Sequence, residues 1–285
     1  MSETINIVGA GLAGSITAAA LEDAGFEVRI FDDGDERSAS WASSNLYIAS
    51  WLKRFGSEEA QQGIAAIERL FGEHREQPFS RGIADAAKVW HIPQRHILRD
   101  PTHREKVVAV TPHGAHTEDD RHDGKTILCC GYRGKQLVHA DCDVPEINVK
   151  VGHCYLLRGR LPEGTSRLGL VSPYTHEKLY QYDEDTIYYA DSVAVKPDSY
   201  RKREDELKRR TKARLVKAVG CESEAELDER YPTVGFRVGF RPLMKGHDFG
   251  FVKEIQPGVY VLNGGGKNGM IAYARLATDL AEALS

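Results

Sequence analysis

The feature that most constrains this chain is a strand–turn–helix–strand unit within its first thirty-two residues. Ile5-Asn6-Ile7-Val8 reads as a strand, and Gly9-Ala10-Gly11-Leu12-Ala13-Gly14 as a glycine-rich turn opening a helix. The helical run reaches Gly25, and Val28-Arg29-Ile30-Phe31-Asp32 reads as a second strand ending in an acid. Each part suits dinucleotide binding. Gly9 permits the tight turn, Gly11 lets the backbone approach a pyrophosphate, and Gly14 lets the helix pack close to the strand. The helix N-terminus turns unpaired N–H groups and a partial positive charge towards phosphates. Asp32 stands eighteen residues after Gly14, where a carboxylate accepts hydrogen bonds from an adenosine ribose. An acid there argues against a 2′-phosphate and hence NADP. The motif alone does not separate FAD from NAD.

Composition narrows the remaining classes. At 285 residues the chain can bury a sizeable core, as one large domain or two small ones. Its 41% hydrophobic and 28% charged residues are those of an ordinary soluble globular protein. A net charge of −4 gives no global reason to expect nucleic acid. No apolar run approaches bilayer-spanning length, and the N-terminus enters a strand directly, so neither a membrane span nor a signal peptide is expected. The five cysteines are odd in number and form no CxxC, which points to reduced thiols and a cytoplasmic location.

Further along, Arg37 to Asn45 is small and polar, and Ser43, Ser44 and Asn45 suit a loop against a cofactor. A helix is expected over 58–71. Lys106 to Val110 reads as a strand, with Val108 a candidate cofactor contact. Thr126-Ile127-Leu128-Cys129-Cys130 is another strand, and it runs into Gly131, a second point of close cofactor approach. Residues 148–195 turn to strands. Lys178 to Tyr182, the turn Asp183-Glu184-Asp185 and Thr186 to Tyr189 read as a hairpin. Residues 196–217 read as a basic helix, with ten Lys and Arg against four acids, a net of +6. His113, His116 and His122 lie in a polar loop without cysteine or carboxylate at ligand spacing, so no metal is expected.

The last fifty residues repeat the opening pattern. Gly235-Phe236-Arg237-Val238-Gly239-Phe240-Arg241-Pro242 leads to Gly258-Val259-Tyr260-Val261-Leu262-Asn263-Gly264-Gly265-Gly266 and a helix over 268–284. A strand, a glycine turn and a helix start form a second phosphate or ring-edge cradle. Such a helix start would stabilise the charge that reduction places on a flavin. Its candidates are Gly265, Gly266, Lys267, Asn268, Gly269 and Met270.

With four anchors in this order, the chain resembles the FAD-dependent D-amino-acid oxidase and glycine oxidase family. They are Ile7–Gly14 with Asp32, Ile127–Gly131, Gly239–Pro242 and Tyr260–Met270. The chain departs from the family in its shortened 52–107 stretch and in carrying Asp32 where glutamate is usual. The resemblance implies an α/β fold: a Rossmann-like FAD-binding domain over 1–145 and 235–285, with an inserted antiparallel β-sheet substrate domain over 146–234. It implies FAD bound by Gly9, Ala10, Gly11, Leu12, Ala13, Gly14, Asp32 and the adjacent Asp33. It assigns the substrate carboxylate to Arg241, which can hold it by two parallel hydrogen bonds. Arg237 is a second candidate, and a pocket tyrosine comes from Tyr180, Tyr182, Tyr188 and Tyr189, among which the sequence does not choose; Tyr182 and Tyr189 are carried forward as candidates.

The implied reaction oxidises the C–N bond of an amino acid or glycyl-type amine. Hydride passes to flavin, the imine hydrolyses, and oxygen as acceptor yields hydrogen peroxide. Related flavoproteins act on amino-acid-bearing nucleobases, so residues 196–217 open a nucleic-acid alternative. A Rossmann protein that is non-catalytic or uses NAD is the other.

Overall fold

Two five-stranded sheets organise the chain, one mostly parallel and one antiparallel. The computed structural model describes residues 3–34, 39–48, 57–75, 89–162, 165, 167–172, 175–191, 193–244 and 249–285. The elements begin β1 (Thr4–Val8), α1 (Leu12–Asp23), β2 (Glu27–Phe31), β3 (Leu46–Ile48), α2 (Ser57–Phe71), β4 (Val89–His91) and α3 (Gln94–Ile97). They continue β5 (Ala109–Thr111), β6 (Gly114–His116), β7 (Arg121–Asp123), β8 (Lys125–Leu128), β9 (Asn148–Arg158), β10 (Arg167–Ser172), β11 (Thr175–Gln181) and β12 (Thr186–Ala190). The last are α4 (Pro197–Ala218), α5 (Glu224–Arg230), β13 (Thr233–Leu243), β14 (Phe251–Gln256), β15 (Val259–Asn263) and α6 (Gly269–Leu284).

The first sheet has the order β14-β15-β8-β1-β2. β1 pairs in parallel with β2 and β8, β15 pairs in parallel with β8, and β14 adds an antiparallel edge. Ile5, Asn6 and Ile7 are all fully buried, as expected of a parallel strand covered on both faces. Small residues of α1, among them Ala13, Ala18 and Ala20, are buried where the helix packs with α6. A Cβ on Gly14 would stand 1.8 Å from the Gly9 carbonyl oxygen, so only glycine allows this approach of helix to strand.

The second sheet has the order β10-β11-β12-β9-β13 and is antiparallel throughout. Alternation divides its two faces. Tyr155, Leu157, Leu179, Ile187 and Tyr189 pack with Leu215, Val216 and Ala218 of α4. His153 ties the same face to α4, with Nδ1 3.0 Å from the Tyr200 hydroxyl and Nε2 2.9 Å from Thr211 Oγ1. Burial holds its pKa down to about 4, so it is neutral in this core. Lys178, Tyr180 and Tyr188 alternate towards the other face, where the cavity lies.

Two expected boundaries move. β13 pairs with β9 from Thr233 to Leu243, so a domain division at 235 falls inside this strand. The Gly239–Pro242 anchor therefore belongs to the antiparallel sheet. The strand expected over 106–110 is observed as Ala109–Thr111. No helix among the described residues is long and apolar enough to cross a membrane. All five cysteines are free thiols, three of them buried.

Candidate active site

Both sheets line a cavity of about 650 Å³. Its nucleotide end is built from backbone. Gly9 has φ +107° and donates its N–H to the Phe31 carbonyl at 2.7 Å. A Cβ there would stand 2.8 Å from the Cys129 carbonyl oxygen. Ala10 donates its N–H to Asp32 Oδ2 at 2.6 Å, and Gly34 donates to Asp32 Oδ1 at 2.7 Å. Asp32 thus shapes the glycine turn as well as lining the cavity. Each oxygen keeps a lone pair for a further donor such as a ribose hydroxyl. Gly11, Leu12 and Ala13 line the cavity at the start of α1, while Gly14 packs behind them. Leu12 donates its N–H to Ser40 Oγ at 2.7 Å, a residue that sequence reasoning did not single out.

Asp33 also lines the cavity and pairs with Arg133 at 3.0 Å. Ser43, Ser44 and Asn45 form part of the wall. Asn45 is 2% exposed, and neither its Nδ2 nor its Oδ1 has a hydrogen-bond partner among the described residues. A buried amide left so is costly unless a ligand completes it. Residues 35–38, which include Arg37 and Ser38 of this loop, lie outside the described residues.

The second cradle lies across from the first. Asn263 donates from Nδ2 to the Gly131 carbonyl at 2.5 Å, joining the ends of β15 and β8. Gly131, Gly266, Asn268, Gly269 and Met270 line the cavity. Gly265 stands behind, donating its N–H to the Tyr273 hydroxyl at 3.2 Å. The side chain of Lys267 lies outside the described residues. Val108 is a correction: it is 40% exposed, and the buried Val107 lines the cavity instead. Both residues precede β5, which begins at Ala109 rather than Lys106.

At the other end the wall is made of side chains on the antiparallel sheet. Arg241 lines the cavity and has no hydrogen bond or ion pair among the described residues. Burial lowers its pKa from the ordinary guanidinium value, with Tyr188 opposing, yet a guanidinium stays charged. Tyr188 lines the cavity and donates to the Ala42 carbonyl at 3.0 Å. Tyr180 is fully buried and donates to the Ser44 carbonyl at 2.7 Å. Lys178 lines the cavity, donates from Nζ to Ser44 Oγ at 2.6 Å, and has its pKa lowered to about 8 by burial first and Arg241 second. Gly152 and Gly239 are register partners on β9 and β13, leaving part of this wall without side chains.

The other expected substrate residues are elsewhere. Tyr189 is corrected: it is fully buried on the α4 face, its hydroxyl donating to Glu177 Oε1 at 2.8 Å. Alternation turns its neighbour Tyr188 into the cavity. Tyr182 does not line the cavity but stacks beside Tyr188, with ring centroids 6.2 Å apart. Arg237 also stands outside the lining, donating to the Trp41 carbonyl at 2.9 Å and Gln94 Oε1 at 3.2 Å. Its guanidinium lies 5.3 Å over the Trp41 ring. The sequence misses Lys178 and leaves Tyr188 undecided among four tyrosines, because their signal is strand parity and requires the register.

The histidines group differently from the sequence spacing. His122 meets His103 and Glu105, with one potential ligand atom of each within 4.8 Å of the others. His103 and His122 also pack on Phe31, each with ring centroids 4.7 Å away, so the trio supports the nucleotide end. Among the described residues, five of the ten cations over 196–217 are ion-paired, three of them with acids already counted in the net of +6. Arg201, Arg203, Lys208, Lys212 and Arg214 form ion pairs with Asp198, Glu206, Glu204, Asp228 and Asp191.

Residues 7–56 match the model of an NAD(P)-binding Rossmann-like domain. No curated protein matches the chain in sequence. Solved structures similar to it include a glycine oxidase from Geobacillus kaustophilus, 13% identical with a TM-score of 0.65, over 99% of this chain and 95% of that one. An L-proline dehydrogenase from P. horikoshii is 11% identical with a TM-score of 0.69, over 100% and 93%. An iminodiacetate oxidase from Chelativorans sp. BNC1 is 16% identical with a TM-score of 0.66, over 98% and 95%. At these identities the likeness is one of fold, and it spans nearly the whole of each chain. The chain has a Rossmann-like α/β fold with a separate antiparallel sheet, the architecture of the glycine oxidase group.

Proposed function

We propose that the protein is an FAD-dependent oxidoreductase acting on the C–N bond of an amine that carries a carboxylate. The observation that carries this reading is Arg241, a cation without a partner among the described residues, in the wall of a cavity whose other end is a glycine-built dinucleotide cradle. The cradle fits FAD. Gly9 and Gly11 leave the turn open, and Asn45 offers an uncompleted amide in the same wall. FAD in this cavity would supply the two-electron oxidant, taking the amine to an imine and passing the electrons to oxygen as hydrogen peroxide.

The chain's own part is placement and exclusion of water. Arg241 holds the carboxylate by two hydrogen bonds and so fixes the Cα–H. Tyr188 and Tyr180 tie the sheet to the Ala42–Ser44 loop, which keeps the substrate wall against the cofactor wall. The imine hydrolyses to an oxo acid and the amine product. Glycine or a glycyl-type secondary amine is the favoured class, on the resemblance in fold to glycine oxidase and iminodiacetate oxidase. The chain's net charge of −4 favours a small-molecule substrate over an amino-acid-bearing nucleobase.

The test is direct. Purified protein is expected to be yellow and to release FAD on denaturation, and an anaerobic panel of carboxylated amines is expected to bleach it. Colourless protein that takes up NAD but not FAD would replace this reading with a nicotinamide enzyme.

A further inference from the structure

The substrate wall holds a second cation that the proposed reaction does not require. Lys178 projects from β11, where its register partner Ala190 also lines the cavity. Its Nζ donates to Ser44 Oγ at 2.6 Å, which leaves two ammonium donors for other acceptors. Among the described residues neither Lys178 nor Arg241 has a carboxylate partner. The acids that line the cavity, Asp32, Asp33 and Glu105, sit at its nucleotide end around the end of β2. Both side chains are half-buried, and two like charges in one chamber repel. The repulsion is felt here, since Arg241 helps to lower the Lys178 pKa. A single carboxylate on Arg241 answers only one of these charges.

We propose that Lys178 binds a second anionic group of the substrate, so that the preferred amine carries two carboxylates. This rests on the amine-oxidase reading above and narrows its substrate class. Arg241 takes the carboxylate next to the reacting carbon. The distal carboxylate accepts from Lys178, held in place by Ser44.

The test separates binding from turnover. Flavin absorbance of the holoprotein is titrated with acetate and with malonate at fixed ionic strength and neutral pH. Malonate is expected to bind about tenfold or more tighter than acetate, the size of a charge-assisted hydrogen bond. Lys178→Met is expected to remove that advantage, Ser44→Ala to reduce it, and Lys178→Arg to keep most of it. Equal affinity for both acids in the wild-type protein, or an advantage that survives Lys178→Met, overturns the proposal. If Lys178→Met loses its flavin, the wild-type comparison and Lys178→Gln decide by the same criterion. Anaerobic bleaching by glycine and iminodiacetate is run in parallel. Bleaching by iminodiacetate at lower concentration than glycine supports the proposal, and equal efficiency contradicts it. A malonate preference without bleaching by any amine would refute the oxidase reading and leave the Lys178 assignment standing.

Discussion

The two ends of the cavity are made of different material. At the nucleotide end the shape is set by missing side chains: Gly9, Gly11 and Gly14 stand where a Cβ would meet atoms at 2.8, 2.8 and 1.8 Å. At the substrate end the shape is set by side chains that are present, Arg241, Tyr188 and Lys178, on three strands of an antiparallel sheet. A wall of backbone fails as a unit when one Cβ is added. A wall of side chains should fail in steps, one contact at a time.

The largest effect is expected at the backbone wall. Gly14→Ala places a Cβ against the Gly9 carbonyl, a backbone atom that cannot rotate away. It should cost ~3 kcal/mol or more of stability and displace the pyrophosphate turn, so that FAD is lost. Thermal unfolding and released flavin check this. Full flavin content with an unchanged melting temperature would break the contrast between the walls.

Next is acid, which should act on the substrate wall first. His153 ties the antiparallel sheet to α4, and His91 packs edge-on against Tyr180, with ring centroids 5.3 Å apart. Burial lowers both pKa values to about 4, with Arg95 adding to the effect at His91. The unfolded chain binds these protons near pH 6.5, so their contribution is present above that pH and lost as pH falls towards 4. Each accounts for about 3 kcal/mol across this window. Urea unfolding at neutral and acid pH should show the loss, and His153→Gln should remove about half of it, leaving the part due to His91.

A smaller step is expected at Tyr188. Tyr188→Phe removes the hydrogen bond to the Ala42 carbonyl, about 1 kcal/mol, and should raise the substrate KM severalfold with flavin retained. An unchanged KM would show that the loop is held by Tyr180 and Lys178 alone. The smallest effect is expected on α4, where charge reversal at Arg209 and Arg210 should leave amine turnover and its salt dependence unchanged. A steep salt effect confined to a nucleic-acid-linked amine would instead favour the polymer substrate.

The same difference in material decides what is legible in the sequence. Glycines at fixed spacing between two apolar strands mark the nucleotide turn in the sequence itself, because the constraint is local. The second glycine turn before α6 is readable for the same reason, as are the helices at 57–71, 197–218 and 269–284. Tyr188 and Lys178 are not, because which side of a strand faces the cavity depends on pairing with distant residues. Tyr189 differs from Tyr188 by one position, and that position carries it to the opposite face. Val107 and Val108 lie just before β5, so which of them faces the cavity is set by the chain's path into the strand and not by an alternation readable from the sequence. The trio His103, Glu105 and His122 is hidden because the chain folds back between its members.

If Arg241 holds a substrate carboxylate in front of FAD, anaerobic flavin reduction depends on its guanidinium. Wild-type and Arg241→Ala holoproteins, matched for flavin content, are mixed with the same carboxylated amine and followed by the loss of flavin absorbance. Bleaching is expected with the wild-type protein, and a reduction efficiency about tenfold to a hundredfold lower in the variant, with FAD still bound. Equal efficiency in the two proteins would contradict this role for Arg241.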